Sequence, residues 1–345
     1  MTKHGQPTLG AVAAEAGVSL ATVSKVLNDR VDVSAGTRAR VRRLLDAHGY
    51  VPTVHRNARG RWLVSLVLPA LDSPYALEIL RGVTASPLDV VVCSLSDGAG
   101  PTSWTDQVLG SGRAGALVVV PELTDPERTR LAGARTPCVV IDPTGPLDGV
   151  LPSVGATNRA GGLAATRHLL DLGHRRIAVI GGPRQVLCSR ARIEGYRAAL
   201  ESRGLAVDPD LVRPGDFHHA GGFAQTQALL RLPDPPTAVF AGSDEQALGV
   251  VDAARHAGLR VPDDLSVVGF DDLPVARWSS PPLTTVRQPL AEMGRTAAEM
   301  LLALLEGEQL ARRPVELATS LCVRSSTAPP SDGGVGQVRA RVAVA

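Results

Sequence analysis

Apolar positions in the first fifty residues recur at helical spacing, in three short blocks. Leu9, Val12, Ala13 and Ala16 fall at i, i+3, i+4 and i+7, one face of a helix that Thr8 can cap. Gly17 supplies a turn. Ser19 can cap a second helix, with Val18 stapled onto Val23. Val23, Val26 and Leu27 point inward there, and Thr22, Ser24, Lys25 and Asn28 face out. A third helix opens at Ser34, buries Val41, Leu44 and Leu45 and closes at Gly49. Two short helices joined at a glycine, with a third across them, predict a helix-turn-helix.

From Leu63 onward the period changes. "LVSLVL", "DVVVCSL", "GALVVV", "CVVID", "RIAVIGG", "TAVFAG" and "LSVVGF" are continuous apolar runs, as in strands buried on both faces of a parallel sheet. Helical patterns such as "AGGLAATRHLLDLGH" and "RIEGYRAALESRG" separate them. The alternation predicts an α/β body, long enough at about 260 residues for two doubly wound halves.

Charge changes the picture most. The net +2 of the 345-residue chain hides an asymmetry: residues 1–61 hold ten Lys/Arg against four acids, so that segment carries +6 and the remainder −4. A small basic module on a mildly acidic body points to a polyanion partner for the module alone. The second helix then reads as a recognition helix, its hydroxyls on phosphates and its N-terminal residues on base edges. The four cysteines lie far apart with no CxxC and no histidine cluster, which predicts reduced thiols and no metal site. Apolar runs stop short of a membrane span, and no export signal opens the chain, so a cytoplasmic location is expected. No GxGxxG follows the first strand, and neither a P-loop nor a GxSxG occurs, so neither an enzyme nor a cofactor is expected. An exported solute receptor would share the body without the headpiece.

"TLGAVAAEAGVSLATVSKVLN", followed by "VSAGTRARVRRLLDAHGYVP", resembles the headpiece of the lactose-repressor (LacI/GalR) family of bacterial transcription regulators. "LDSPYALEILRGV", "TNRAGGLAATRHLLDLGHRRIAVIGG", "AGSDEQALGVVDAARHAGLRVPDDLSVVGFDD" and "PPLTTVRQPLAEMGRTAAEMLL" extend the resemblance over roughly residues 8–328. It implies a headpiece at 1–50, a hinge at 51–62 and a periplasmic-binding-protein-like core at 63–328. The core would comprise an N-subdomain of about 63–157 and 289–318 and a C-subdomain of about 158–288 and 319–328, joined by three crossovers. Residues 329–345 read as a disordered tail without the leucine heptads of a tetramerising coil.

By the same resemblance Leu20, Ala21 and Lys25 occupy base-reading positions, and Thr8, Ser19, Thr22, Ser24 and Asn28 phosphate-contacting ones. Lys25 stands where arginine is usual and loses that residue's rigid fork. The hinge departs from the family: Arg59 falls where a wedging leucine is expected, and Gly60 weakens a helix. Either Arg56, Arg59 and Arg61 read a narrow minor groove electrostatically, or the stretch is a charged linker. For the cleft the resemblance implies Asp72, Ser73, Tyr75, Arg192, Phe217, Ser243, Asp244, Asp271 and Gln288 around a small carbohydrate effector. Asp244 and Asp271 can also be read as strand-end helix caps, Phe217 as core packing, and Trp278 as a rim residue. The implied partners are pseudo-palindromic double-stranded operator DNA and a second copy of the chain, with no membrane.

Overall fold

The three helical blocks fold as α1 (Leu9–Ala16), α2 (Leu20–Leu27) and α3 (Ala35–Ala47). Val12, Ala13, Ala16, Val23, Val26, Val41 and Leu45 form their shared core. Gly17 takes the left-handed turn at φ 62°, and the Ser19 hydroxyl caps α2 by accepting the Thr22 amide at 3.1 Å. The computed structural model describes residues 9–27, 33–47, 60–94, 104–120, 123–134, 136–147, 149–310 and 314–331. Expectations for Thr8, Asn28, Arg56, Arg59 and the segment after 331 lie outside the described residues.

The body begins at β1 (Trp62–Leu68), one residue inside the expected hinge, and continues through α4 (Pro74–Thr84), β2 (Leu88–Ser94), α5 (Trp104–Gly110), β3 (Gly115–Val119), α6 (Asp125–Gly133), β4 (Cys138–Ile141) and β5 (Ser153–Ala156). It then crosses into α7 (Asn158–Asp171), β6 (Ile177–Ile180), α8 (Leu187–Glu201), β7 (Val212–Arg213), α9 (His219–Leu230), β8 (Ala238–Ala241), α10 (Asp244–His256), β9 (Ser266–Asp271), α11 (Pro274–Trp278) and β10 (Thr284–Arg287). The chain returns as α12 (Leu290–Leu305) and β11 (Val315–Leu317), and crosses a third time into β12 (Ser320–Cys322).

Two six-stranded sheets result, in the orders β11-β5-β4-β3-β1-β2 and β12-β10-β9-β8-β6-β7. All the pairings are parallel except that of β10 with β12. Apolar strands such as β3 and β8 are buried end to end, as helices on both faces require. Helix α12 closes the first core from the far end of the chain, with Met293, Ala297, Ala298 and Leu301 fully buried.

The crossovers are stitched together. Thr157 donates its amide to the Leu317 carbonyl at 2.9 Å, and its hydroxyl accepts the Thr319 amide at 3.0 Å. At the remaining crossover the Gln288 amide side chain donates to the Asp271 carboxylate at 2.7 Å. Helices α7 and α8 cross closely: a Cβ at Gly162 would sit 2.2 Å from the Arg192 carbonyl. That contact fixes the height of Arg192 above the second sheet.

Candidate functional site

The carboxyl ends of strands from both sheets converge on a cavity of about 270 Å³, near the lower end of the roughly 300–1,000 Å³ usual for small-molecule sites. Ser73, Tyr75, Val120 and Asp142 wall it on the side of the first sheet. Cys188, Arg192, Asp216, Phe217, Ser243, Glu245 and Asp271 wall it on the other. Among the described residues five non-glycines hold left-handed φ: Val120, Asp142, Phe217, Asp271 and Asp272. The first four line the cavity, and the fifth adjoins it. Such conformations cost on the order of 1–3 kcal/mol each and collect where a site demands them.

Arg192, 3% exposed, lies against the Phe270 ring with its Cζ 3.8 Å from the ring centroid. Its Nε donates to the Asn158 Oδ1 at 2.8 Å, its Nη1 to the Gly242 carbonyl, and its Nη2 stands 3.9 Å from the Asp271 carboxylate. A guanidinium can be kept in such a place only when nearly every donor is occupied. Burial pushes the Asp271 carboxyl up to about 7, against the opposing pull of Arg192 and of the Gln288 hydrogen bond. Asp142 is also raised by burial, with Arg192 and the Tyr75 hydroxyl opposing; that hydroxyl donates to it at 2.8 Å. The same burial and the neighbouring Asp142 hold the Tyr75 hydroxyl well above its ordinary value. Burial raises the Cys188 thiol to about 12, so it is no thiolate nucleophile.

Phe217 holds φ 69°, and its carbonyl accepts the Ser243 hydroxyl at 2.6 Å. The ring lies over Gly182, where an added Cβ would come within 2.1–2.5 Å of three ring carbons. Gly182→Ala is therefore expected to expel the ring and weaken cleft binding by about 10-fold or more, the loss of a buried aromatic contact. Calorimetry on the folded variant checks it.

Six of the nine cleft residues read from the sequence meet at the cavity: Ser73, Tyr75, Arg192, Phe217, Ser243 and Asp271. Asp72, Asp244 and Gln288 do not line it. Asp72 is exposed on the loop before α4. Asp244 is fully buried behind the wall, its oxygens taking the Leu273 amide at 2.7 Å and the Thr285 hydroxyl at 2.5 Å, the alternative in which it serves the fold. Gln288 stands one layer back, on Asp271. Sequence reasoning passed over Asp142, Cys188, Asp216 and Glu245. Asp142 could have been found, since it ends the apolar run "CVVID" at the carboxyl edge of its sheet.

In the headpiece α2 offers Leu20, 54% exposed, with Ala21, Ser24 and Lys25 also exposed and Thr22 half-buried. A large apolar side chain left open at a helix start, beside a lysine, suits contact with base edges. Arg61 departs from the minor-groove reading. Its guanidinium pairs with Asp89 at 3.1 Å and donates to the carbonyls of Ser86, Pro87 and Leu88. It anchors the start of β1 where α4 ends and β2 begins.

Among the described residues no group of histidine, cysteine or acidic side chains could hold a metal, and no single helix is long and apolar enough to cross a membrane. A helix-turn-helix headpiece joined to a two-subdomain, binding-protein-like body defines a bacterial regulator of transcription. Residues 8–53 match the model of bacterial regulatory proteins of the lacI family, and residues 166–327 that of the periplasmic binding protein-like domain. The transcriptional repressor CytR of Escherichia coli is 35% identical over 331 residues, 93% of this chain and 96% of CytR. A solved complex of the transcriptional regulator CelR with cellobiose is 36% identical with a TM-score of 0.69, covering 93% of this chain and 99% of that one. The lac repressor dimer bound to operator and the anti-inducer ONPF is 29% identical with a TM-score of 0.67, covering 94% and 100%. The chain belongs to the LacI family and is a transcriptional regulator, not an enzyme.

Proposed function

We propose that this chain is a cytoplasmic repressor. As a homodimer it binds a pseudo-palindromic operator, and a small carbohydrate in the cleft between its subdomains sets its operator affinity. The observation that carries the reading is the pairing of two features in one chain: an exposed recognition-helix face and a cavity walled by both subdomains. The likeness to a CelR–cellobiose complex and to an operator-bound lac repressor dimer supports each half. Two headpieces on a two-fold axis call for two half-sites in opposite orientation. Leu71 and Leu77, 54% and 49% exposed at the start of the first subdomain, support self-association.

Within this reading, closure of the subdomains on a sugar moves the ends of β1 in the two protomers relative to each other. Arg61 carries that movement to the headpieces because it fixes the linker's last residues to the first sheet. The proposed domain division follows the two sheets, with 63–157 and 289–318 around the first and 158–288 and 319–328 around the second. The experiment is a gel shift on the chain's own upstream DNA with and without each sugar of a mono- and disaccharide panel, paired with thermal shift. One sugar should raise the melting temperature and change operator affinity together. Melting shifts with no change in DNA binding would leave a sugar receptor without regulatory coupling.

A further inference from the structure

The charged side chains around the cavity are four carboxylates, Asp142, Asp216, Glu245 and Asp271, against one guanidinium, Arg192. His218 adds a ring at the rim, its side chain 73% exposed and its Nδ1 3.3 Å from Glu245. Most of the donors are already engaged. Tyr75 gives its hydroxyl proton to Asp142, and Ser243 gives its own to the Phe217 carbonyl. Arg192 gives Nε to Asn158 and Nη1 to Gly242, and turns its remaining edge to Asp271. What the wall still offers is mostly acceptor: the second oxygens of Asp142 and Asp271, with Glu245 and Asp216 beside them.

Helix starts could reverse that balance, because α4, α8 and α10 all begin at the cavity and their free amides would favour an anion. They are occupied. Ser73 caps α4 by taking the Ala76 amide, and Ser243 caps α10 by taking that of Gln246. Asp244 and Glu245 place two acids in the first turn of α10, and the first amide of α8, at Leu187, is spent on the Thr144 carbonyl.

We propose that the cleft is selective for an uncharged, hydroxyl-rich sugar and rejects the same sugar bearing a phosphate or a carboxylate. This rests on the reading of the cleft as a carbohydrate site. Each sugar hydroxyl donates to a free carboxyl oxygen, a charge-assisted contact wherever that carboxyl is ionised, while the Phe217 ring covers an apolar ring face. The added phosphate or carboxylate replaces a donor hydroxyl with acceptors. It meets Asp142, Asp216, Glu245 and Asp271 across the cavity, and to reach the open Nη2 edge of Arg192 it must compete with Asp271, 3.9 Å away.

The test is calorimetric titration of the full-length protein with matched sets. Glucose is set against glucose 6-phosphate and glucuronate, ribose against ribose 5-phosphate, and cellobiose against cellobionate. A neutral member should bind, and its anionic partners should bind at least about 100-fold more weakly, the scale of a like-charge clash. Asp142→Asn keeps the side-chain shape and can still accept from Tyr75, and it should narrow that gap about 10-fold. Glu245→Gln, at the more open side of the wall, should narrow it in the same direction and stands in if the first variant does not fold. Equal or tighter binding of an anionic partner overturns the inference while leaving the carbohydrate reading intact. Binding by no member of any set overturns the carbohydrate reading, and this inference with it.

Discussion

Lys25→Ala should reduce the preference for operator over unrelated DNA by about 1–3 kcal/mol, roughly 5- to 150-fold, the discrimination that one good base contact supplies. Lys25 is exposed on α2, one helical turn beyond the exposed Ala21, on the face opposite the buried Val23 and Val26. It is a point charge, not a fork, so part of its contribution is phosphate attraction, and total affinity should fall as well. Ser24→Ala separates the two effects: losing a hydroxyl on a phosphate oxygen should weaken all sequences alike and leave the preference in place. Competition gel shifts at several salt concentrations check both variants. Wild-type affinity should fall by several orders of magnitude between 50 and 200 mM salt if about six to ten phosphates are neutralised. A preference unchanged by Lys25→Ala would remove that residue from base reading.

Arg192→Ala should abolish the response to effector while the effector-free protein still binds operator within about two-fold. The residue sits between the subdomains' binding surface and Asn158 at the first crossover, so both recognition and transmission pass through it. Stability should fall too. Removing one member of a buried pair costs about 3–5 kcal/mol when the survivor stays charged. Here Asp271 already holds its carboxyl up to about 7, and loss of the guanidinium raises it further, so protonation relieves part of the cost near neutral pH. About 2–3 kcal/mol is expected, measured by denaturant melts at pH 6.5. DNA binding is to be compared at a temperature where the variant is folded. An Arg192→Ala protein that still releases operator with sugar would place the effector elsewhere.

The strands that were legible are those whose side chains carry their own signal. The seven apolar runs coincide with β1, β2, β3, β4, β6, β8 and β9, mostly buried strands apart from the half-buried edge strand β2. The ones left unread, β5, β7, β10, β11 and β12, are short and mixed in polarity. In β10 the fully buried Thr284 and Thr285 look unlike core residues. Their polar groups are satisfied from far along the chain, by Ser326 for the Thr284 amide and by Asp244 for the Thr285 hydroxyl. No local window contains those partners.

The cleft follows the same logic. The family resemblance pointed to Arg192, Ser243 and Asp271, and Ser243 and Asp271 also stand where parallel sheets deliver their carboxyl ends to ligands. Spacing alone could not say which of Ser243 and Asp244 faces the cavity. That was settled by Gly269, whose missing side chain leaves room for the Asp244 carboxylate within the core. The place of Arg61 stayed open for a similar reason: its acidic partner Asp89 and the carbonyls of Ser86, Pro87 and Leu88 lie beyond the end of α4.

Because α12 supplies Leu290, Met293, Ala297, Ala298 and Leu301 to the first core, that core has an open face until the last fifth of the chain exists. The second subdomain, from α7 to β10, is drawn almost wholly from one uninterrupted stretch, and its two cores need little from beyond it. On the ribosome the order of completion should therefore invert the order of synthesis. The second subdomain closes first, while the earlier-made β1 to β5 wait with apolar surface uncovered. A chain truncated after residue 288 should hold a protease-resistant second subdomain behind a still cleavable first one.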